Sequence, residues 1–497
     1  MAWSPAGIPA NVGTRAAFSL SDVEASDFPR CPANVGIKAR GGWLEHSPSQ
    51  EPFDDLLIAR IKEVVLAIVQ ARGSDADGGL ARARATHEGR HPLVREFLDT
   101  AALNYLEFLE SRESQVGPLT YVDYSHRRDL ANGVSLKLWA PVYQTQDGSR
   151  EVHRLRYNEA RAEAGHWSTG AAWVVNRQVH AVTVVEFGLG SGSEAVLQDC
   201  ADPEAVRTSM DTTLVPDLRS LYVANHRVPG SHCVGCKAVA RCPDLIQMDL
   251  FAGAEDDTPW VRSLSEADLS RYRTCPATVL AKSLHLPTRA AFPESMARGV
   301  RIHRWIADRH AGTIPCTDAL LIEGTGFEED DPYLDAHAAH CDREGSVTLS
   351  LEKTLVGWDA NVADVIFMKP DEVLLRDGVL VLREIKTSAS AAALEADVAW
   401  AQFADVAAWW LSVLDGGLAA HFGAAGAVLE LEVLTPTGGA FHRLTTEQDE
   451  ARFQVAGWRL DTPALWLTDR GFLPSPGPQC PRCEFLRWCK EGQATVD

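Results

Sequence analysis

Two runs of this chain share one cysteine spacing, C-x2-C-x5-C: CVGCKAVARC at 233–242 and CPRCEFLRWC at 480–489. A four-thiolate site needs one more ligand than either run supplies. Two upstream stretches also match each other, SLSDVEASDFPRCP (19–32) and SLSEADLSRYRTCP (263–276), and each ends in Cys-Pro. Cys31 precedes Cys233 by 202 residues, and Cys275 precedes Cys480 by 205. The chain therefore reads as a tandem duplication of one module of roughly 240 residues, a repeat too long for a solenoid. Each module closes on a quartet: Cys31, Cys233, Cys236 and Cys242 in the first, Cys275, Cys480, Cys483 and Cys489 in the second.

Other features recur in the same order. VTVVEFGLGSGSEAVL (182–197) corresponds to AVLELEVLTPTGGAFHRL (427–444), two β-rich runs around a Gly-containing turn. The expected division is 1–247 and 261–497, joined by the acidic, turn-rich MDLFAGAEDDTPW (248–260). Strands mixed with helical patterns make each module α/β, a mixed central sheet flanked by helices. Three thiolates close in sequence and one far away suit a cubane cluster, so the expectation is two 4Fe-4S clusters, with zinc as the alternative. Cys200, Cys316 and Cys341 have no counterparts in the repeat and read as buried apolar residues.

With 497 residues, 45% apolar, the chain can bury sizeable cores, and its 23% charged content is that of a folded protein. The N-terminus carries no basic segment followed by an apolar one, and LLIARIKEVVLAIVQA (56–71) is too short and too charged to cross a bilayer. A cytoplasmic protein without a membrane partner is expected, and its eleven cysteines then read as ligands rather than disulfides. The net charge of -21 argues against general coating of polyanions. Residues 261–310 nevertheless hold nine Arg or Lys against four acids, a local basic excess.

The chemistry lies in LVGWDANVADVIFMKPDEVLLRDGVLVLREIKTSAS (355–390). A strand is expected at 362–368, a turn at KPDE and a second strand at about 378–387. On a strand, residues two apart share a face, so Glu384 and Lys386 point together while Ile385 faces a core. Asp364, on the neighbouring strand, is expected beside Glu384. Two carboxylates and an ammonium at one sheet edge bind a divalent cation and activate water.

This arrangement, an Asp on a hairpin partner, E-x-K on the next strand and cysteines in a 1+3 pattern, resembles the RecB-type PD-(D/E)XK nucleases that carry an iron–sulfur cluster. The resemblance spans 263–489 and implies two tandem restriction-endonuclease-like modules. It also implies that Asp364 and Glu384 ligate Mg2+ or Mn2+, that Ile385 between Glu384 and Lys386 contacts the metal, and that Lys386 orients or activates water. RGVRIHRWI places His303 in the site as a further metal ligand. AWAQFADVAAWW supplies Gln402, although Val406 stands where that family carries tyrosine. The implied activity is a metal-dependent deoxyribonuclease acting in repair, recombination or phage defence. DNA is its partner, and any ATP-driven unwinding falls to a separate helicase or ATPase, because the chain has no G-x-x-x-x-G-K-[ST] loop.

The first module keeps its cysteines and loses this chemistry. Its VHRLRYNEAR (152–161) aligns with LVLREIKTSA so that Tyr157 and Glu159 stand for Glu384 and Lys386, and VSLKLWAPVYQ holds no acid. HEGRH (87–91) has the outline of a zinc-protease motif, but Gly89 and Pro92 oppose the continuous helix it needs. FGLGSGSEA falls at a hairpin turn rather than a nucleotide loop. The rival reading is a non-catalytic iron–sulfur or zinc scaffold that binds nucleic acid or a partner protein.

Overall fold

The computed structural model describes residues 16–24, 31–39, 53–71, 76–88, 90–129, 134–163, 165–177, 179–234, 236, 238–251, 263–288, 294–312, 316, 326–341, 343, 345–445 and 465–496. It is a mixed α/β protein of two compact units. The first comprises Met1–Asp244, Cys275–Arg289 and Gly471–Asp497; the second comprises Leu245–Thr274 and Ala290–Arg470. Most of the expected linker lies outside the described residues.

The sheet of the first unit contains β1 (Ala16–Ser19), β2 (Thr120–Asp129), β3 (Val134–Gln144), β4 (Arg150–Arg156), β5 (Val182–Gly188) and β6 (Glu194–Ala201). Its order is β1-β3-β4-β5-β6, with β2 also paired to β3. Strand β4 runs parallel to β5, and β3–β4, β5–β6 and β2–β3 are antiparallel. Inner strand β5, VTVVEFG, is buried along almost its whole length, as a strand covered on both faces should be. The turn after it holds FGLGSGSEA at a hairpin. Helix Ala76–His87 ends at His87, and His91 caps the next helix, Pro92–Val116, by accepting the Leu93 N–H at 3.3 Å. The two histidines of HEGRH therefore do not share a helix.

In the second unit, β9 (Ser346–Leu351), β12 (Glu372–Arg376), β13 (Val379–Thr387), β14 (Gly426–Thr435) and β15 (Gly438–Thr445) form a sheet ordered β15-β14-β13-β12-β9. Here β13–β14 is parallel, while β12–β13, β14–β15 and β12–β9 are antiparallel. This is the order and sense of β6-β5-β4-β3-β2, so the internal repeat extends to topology. A second sheet, β7-β10-β11-β8, is built from β7 (Ile246–Met248), β8 (Ser263–Leu264), β10 (Leu355–Asp359) and β11 (Asp364–Met368). Helix Glu294–Ala311 covers the larger sheet through Ile302, Trp305 and Ile306, which pack with Tyr333, Ile385 and Leu434.

The units cut the chain differently from 1–247 and 261–497. The segments that carry the second cysteine quartet, 275–289 and 471–497, belong to the first unit. The physical reason is apolar packing around Trp488, which is 2% exposed. Its ring meets Phe97 edge-on at 5.3 Å, and its indole N–H donates to the Pro287 carbonyl at 2.7 Å. Arg487 donates to the Gly190 carbonyl at 2.8 Å. Covering an aromatic of this size is worth roughly 2–3 kcal/mol, enough to draw both segments onto the helix Pro92–Val116.

Candidate metal centre and cysteine quartets

The hairpin between β12 and β13 turns at Asp377-Gly378, both with positive φ (52° and 80°). Asp-Gly suits that geometry because glycine pays no penalty at positive φ and aspartate a smaller one than most residues. The neighbour of β13 is therefore β12, which starts at Glu372, and the KPDE stretch is not the turn. Asp364 is thereby displaced from the site. It lies on β11 in the other sheet, fully buried and opposite Asp359.

Asp371, the residue just before β12, takes its place. Its Oδ2 accepts the Ile385 N–H at 2.6 Å, between Glu384 and Lys386. Its Oδ1 lies 2.9 Å from His303 Nδ1. His303 Nδ1 also lies 3.2 Å from Glu352 Oε1, and Glu352 is held from the other side by Lys369. Glu352 follows β9 with φ at +46° and donates its own N–H to the Asp371 carbonyl at 2.9 Å. Holding a glutamate in the left-handed region costs free energy, and such outliers concentrate at functional sites. One potential ligand atom from each of His303, Glu352 and Asp371 lies within 4.8 Å of the others.

Glu384 and Lys386 hydrogen-bond directly to each other at the same sheet edge. Burial raises the Glu384 carboxyl, and the Asp371 charge adds to this, giving a value of about 7. Burial would lower the Lys386 ammonium, but Glu384 and Asp371 outweigh it and the net shift is upward. Glu266, on helix Glu266–Thr274, adds to the negative field at Lys386, and burial raises its own pKa. Burial opposes charge on His303 as well, yet the Asp371 carboxylate lifts it to about 10. Glu352 is driven down to about 2: burial opposes that shift, and the bonds from His303 and Lys369 overcome it.

The cluster sets the carboxylates of Asp371, Glu352 and Glu384 beside the cations His303, Lys369 and Lys386. Asp371, Glu384, Glu352 and the His303 imidazole are hard oxygen and nitrogen donors, a set that fits Mg2+ or Mn2+. Ile385 contributes its N–H to Asp371, which fixes the carboxylate. Gln402 is the exposed last residue of helix Ala396–Gln402 and takes no part in these bonds.

A cation entering this site competes with protons. Above its ordinary value and up to about 7, folding keeps the Glu384 proton on, so its contribution to metal-free stability is lost as pH rises through about 7. The contribution of His303 is lost through about 10. Metal uptake should release protons and strengthen with pH. The Mn2+-induced rise in melting temperature is expected to be larger at pH 8 than at pH 6. An equal rise at both pH values would show that Glu384 and His303 are not ligands.

In the first unit, β4 ends at Arg156, so Tyr157 and Glu159 fall beyond the strand and do not occupy the positions of Glu384 and Lys386. Arg154 and Arg156 stand at its end instead, and both pair with Glu24 and Glu186. Two guanidiniums therefore stand at the end of this strand, where β13 carries Glu384 and Lys386.

Both quartets assemble in the first unit. Cys233 is close enough to Cys31, Cys236 and Cys242 for their charges to act on it, and burial pushes its thiol up to about 11. Burial works to raise Cys31 too, but hydrogen bonds from His232 and from the backbone at Val228 and Asn34 together bring it below its ordinary value. In the other quartet, Cys483 feels Cys275 and Cys480, and Cys489 feels Cys275 and Cys483. Backbone N–H groups point at the sulfurs: Gly230 at Cys233 (3.4 Å), Ser475 at Cys275, Gly477 at Cys480 and Gly492 at Cys489 (each 3.3 Å). Such donors stabilise thiolates, as iron–sulfur and zinc sites require. A side chain at Gly492 would crowd the Cys489 and Cys480 sulfurs, its Cβ only 3.3 and 3.5 Å from them.

Among the described residues no helix is long and apolar enough to cross a membrane. No family model and no curated protein matches the chain. A solved structure, "Crystal structure of SSO0001", is similar over 46% of this chain and 86% of its own length, at 19% identity and a TM-score of 0.24.

Proposed function

We propose that the protein is a metal-dependent nuclease of the RecB-like PD-(D/E)XK type, that its second module carries the activity and that its first is a catalytically inert copy. The supporting observation is the placement of Asp371. Its carboxylate grips the backbone between Glu384 and Lys386 while His303 closes on it from the helix above, which gathers the metal-binding and water-handling groups of such an enzyme at one sheet edge. A divalent cation held by Asp371, Glu384 and His303 would supply charge neutralisation at a phosphodiester and a water of lowered pKa. Lys386, whose pKa is raised, stays an ammonium and orients that water or a phosphate oxygen by donating hydrogen bonds. Glu266 and Glu384 keep Lys386 charged, and Asp371 fixes the strand register that aims it.

The basic excess at 261–310 supports DNA as the substrate, because phosphate contacts dominate nucleic-acid affinity. Two 4Fe-4S clusters are the occupants proposed for the quartets, as ties between distant parts of the first unit; a helicase or ATPase would act as a separate partner. The scaffold reading draws on the inert first copy, which keeps its quartet without the chemistry. Purified protein should be assayed with Mg2+ or Mn2+ on single- and double-stranded DNA blocked at either end. Cleavage of any of these supports the nuclease, and intact substrates with retained DNA binding would favour the scaffold.

A further inference from the structure

A second cluster in the second unit has no part in that chemistry. His310 lies seven residues beyond His303, near the end of helix Glu294–Ala311. His337 and Cys341 lie at the end of helix Asp331–His340, and Cys316 comes from the intervening stretch. One ligand atom from each of the four lies within 4.8 Å of all the others. His310, Cys316 and His337 are 4%, 6% and 0% exposed. Cys316 and Cys341, expected from sequence to be apolar core residues, instead hydrogen-bond to each other, and Cys341 also to both imidazoles.

We propose that His310, Cys316, His337 and Cys341 bind one zinc ion. The distances fit. His310 Nε2 is 3.2 Å from His337 Nε2 and 3.4 Å from Cys341 Sγ. Tetrahedral zinc with ordinary bond lengths separates two nitrogens by about 3.3 Å and a nitrogen from a sulfur by about 3.6 Å. The outer shell fits as well. His337 Nδ1 lies 2.6 Å from Glu432 Oε1, and His310 Nδ1 lies 3.1 Å from Glu372 Oε1. The Glu432 carboxylate holds the His337 ring with Nδ1 protonated and its Nε2 lone pair inward, the usual arrangement around a zinc-bound histidine, and Glu372 stands as the ion-pair partner beside the far nitrogen of His310. Two such lone pairs and two sulfurs then converge on one point. A cation satisfies all four, whereas a proton bridges only two.

Glu372 is itself fixed: Arg383 bonds it at 3.2 Å, and Arg343 reaches it at 3.1 Å. Zinc would neutralise the two thiolates and pin the end of the helix that carries His303 two turns upstream.

The test is metal analysis of the full-length protein as purified anaerobically, followed by exchange of labile zinc for Co2+. One zinc per chain is expected, lost in Cys316→Ser and in His337→Ala with the iron content unchanged. Co2+ added to zinc-depleted, iron-loaded wild type should give the intense visible bands of a tetrahedral thiolate site, saturating at one equivalent. That readout needs no variant and survives any folding defect. A weak octahedral Co2+ spectrum, or zinc content unaltered in folded Cys316→Ser, would overturn the assignment.

Discussion

Asp371→Asn is expected to lower metal-dependent cleavage by on the order of 10²-fold or more, the usual consequence of removing a principal catalytic group. The carboxamide keeps the size of the side chain and one oxygen for the Ile385 amide. It forfeits the charge that a divalent cation requires and that holds His303 as imidazolium. Asp364→Asn is the matched comparison: it alters another buried aspartate seven residues earlier, on a strand of the other sheet. It should cleave at the wild-type rate per folded molecule. Single-turnover cleavage of end-labelled DNA by both variants separates the two positions. A loss confined to Asp364→Asn would return the site to the β11 strand.

The second large effect concerns the cysteines. Anaerobically purified protein should be brown, with about eight irons per chain if both clusters are cubanes. Cys480→Ser should take this to about four and leave the Cys31 quartet loaded. Both quartets belong to one unit, so loss of either should lower the same thermal transition. By analogy with a cross-link closing a loop of more than 100 residues, the cost is roughly 5 kcal/mol. Iron analysis and melting of Cys480→Ser and Cys233→Ser test this. Loss of all iron from either variant, or a colourless protein holding zinc in both quartets, would contradict it.

Much of this was legible in the sequence because duplication supplies its own alignment. Matching cysteine triplets pointed to partners at Cys31 and Cys275, and the structure brings those quartets together. His303, Glu384 and Lys386 also converge. The misreading of Asp364 has a local cause. Pro370 looks like a turn residue, since proline cannot donate to a sheet ladder, whereas here it separates two strands that belong to different sheets. The stronger signal was Asp377-Gly378, whose positive φ values make the true hairpin and put Pro370-Asp371 beside the E-x-K strand. Glu352 carries no pattern of its own and reaches the site only through sheet pairing. His310, Cys316, His337 and Cys341 escaped for a similar reason: their spacing is irregular and packing of two helices joins them. Unit boundaries were opaque because the C-terminal segment seats Trp488 on a helix nearly 400 residues earlier in the chain.

The most direct measurement is cleavage of labelled DNA by purified wild-type protein with Mn2+, with chelator, and with Mn2+ in the Lys386→Ala variant. Lys386 holds its charge through Glu384, Asp371 and Glu266, and in the proposed mechanism it is the group that orients the attacking water. Cleavage by wild type with Mn2+ is expected, together with its loss in chelator and a fall on the order of 10²-fold or more in Lys386→Ala. Cleavage by Lys386→Ala at the wild-type rate, or none by wild type with either metal, would contradict a nuclease site at this sheet edge.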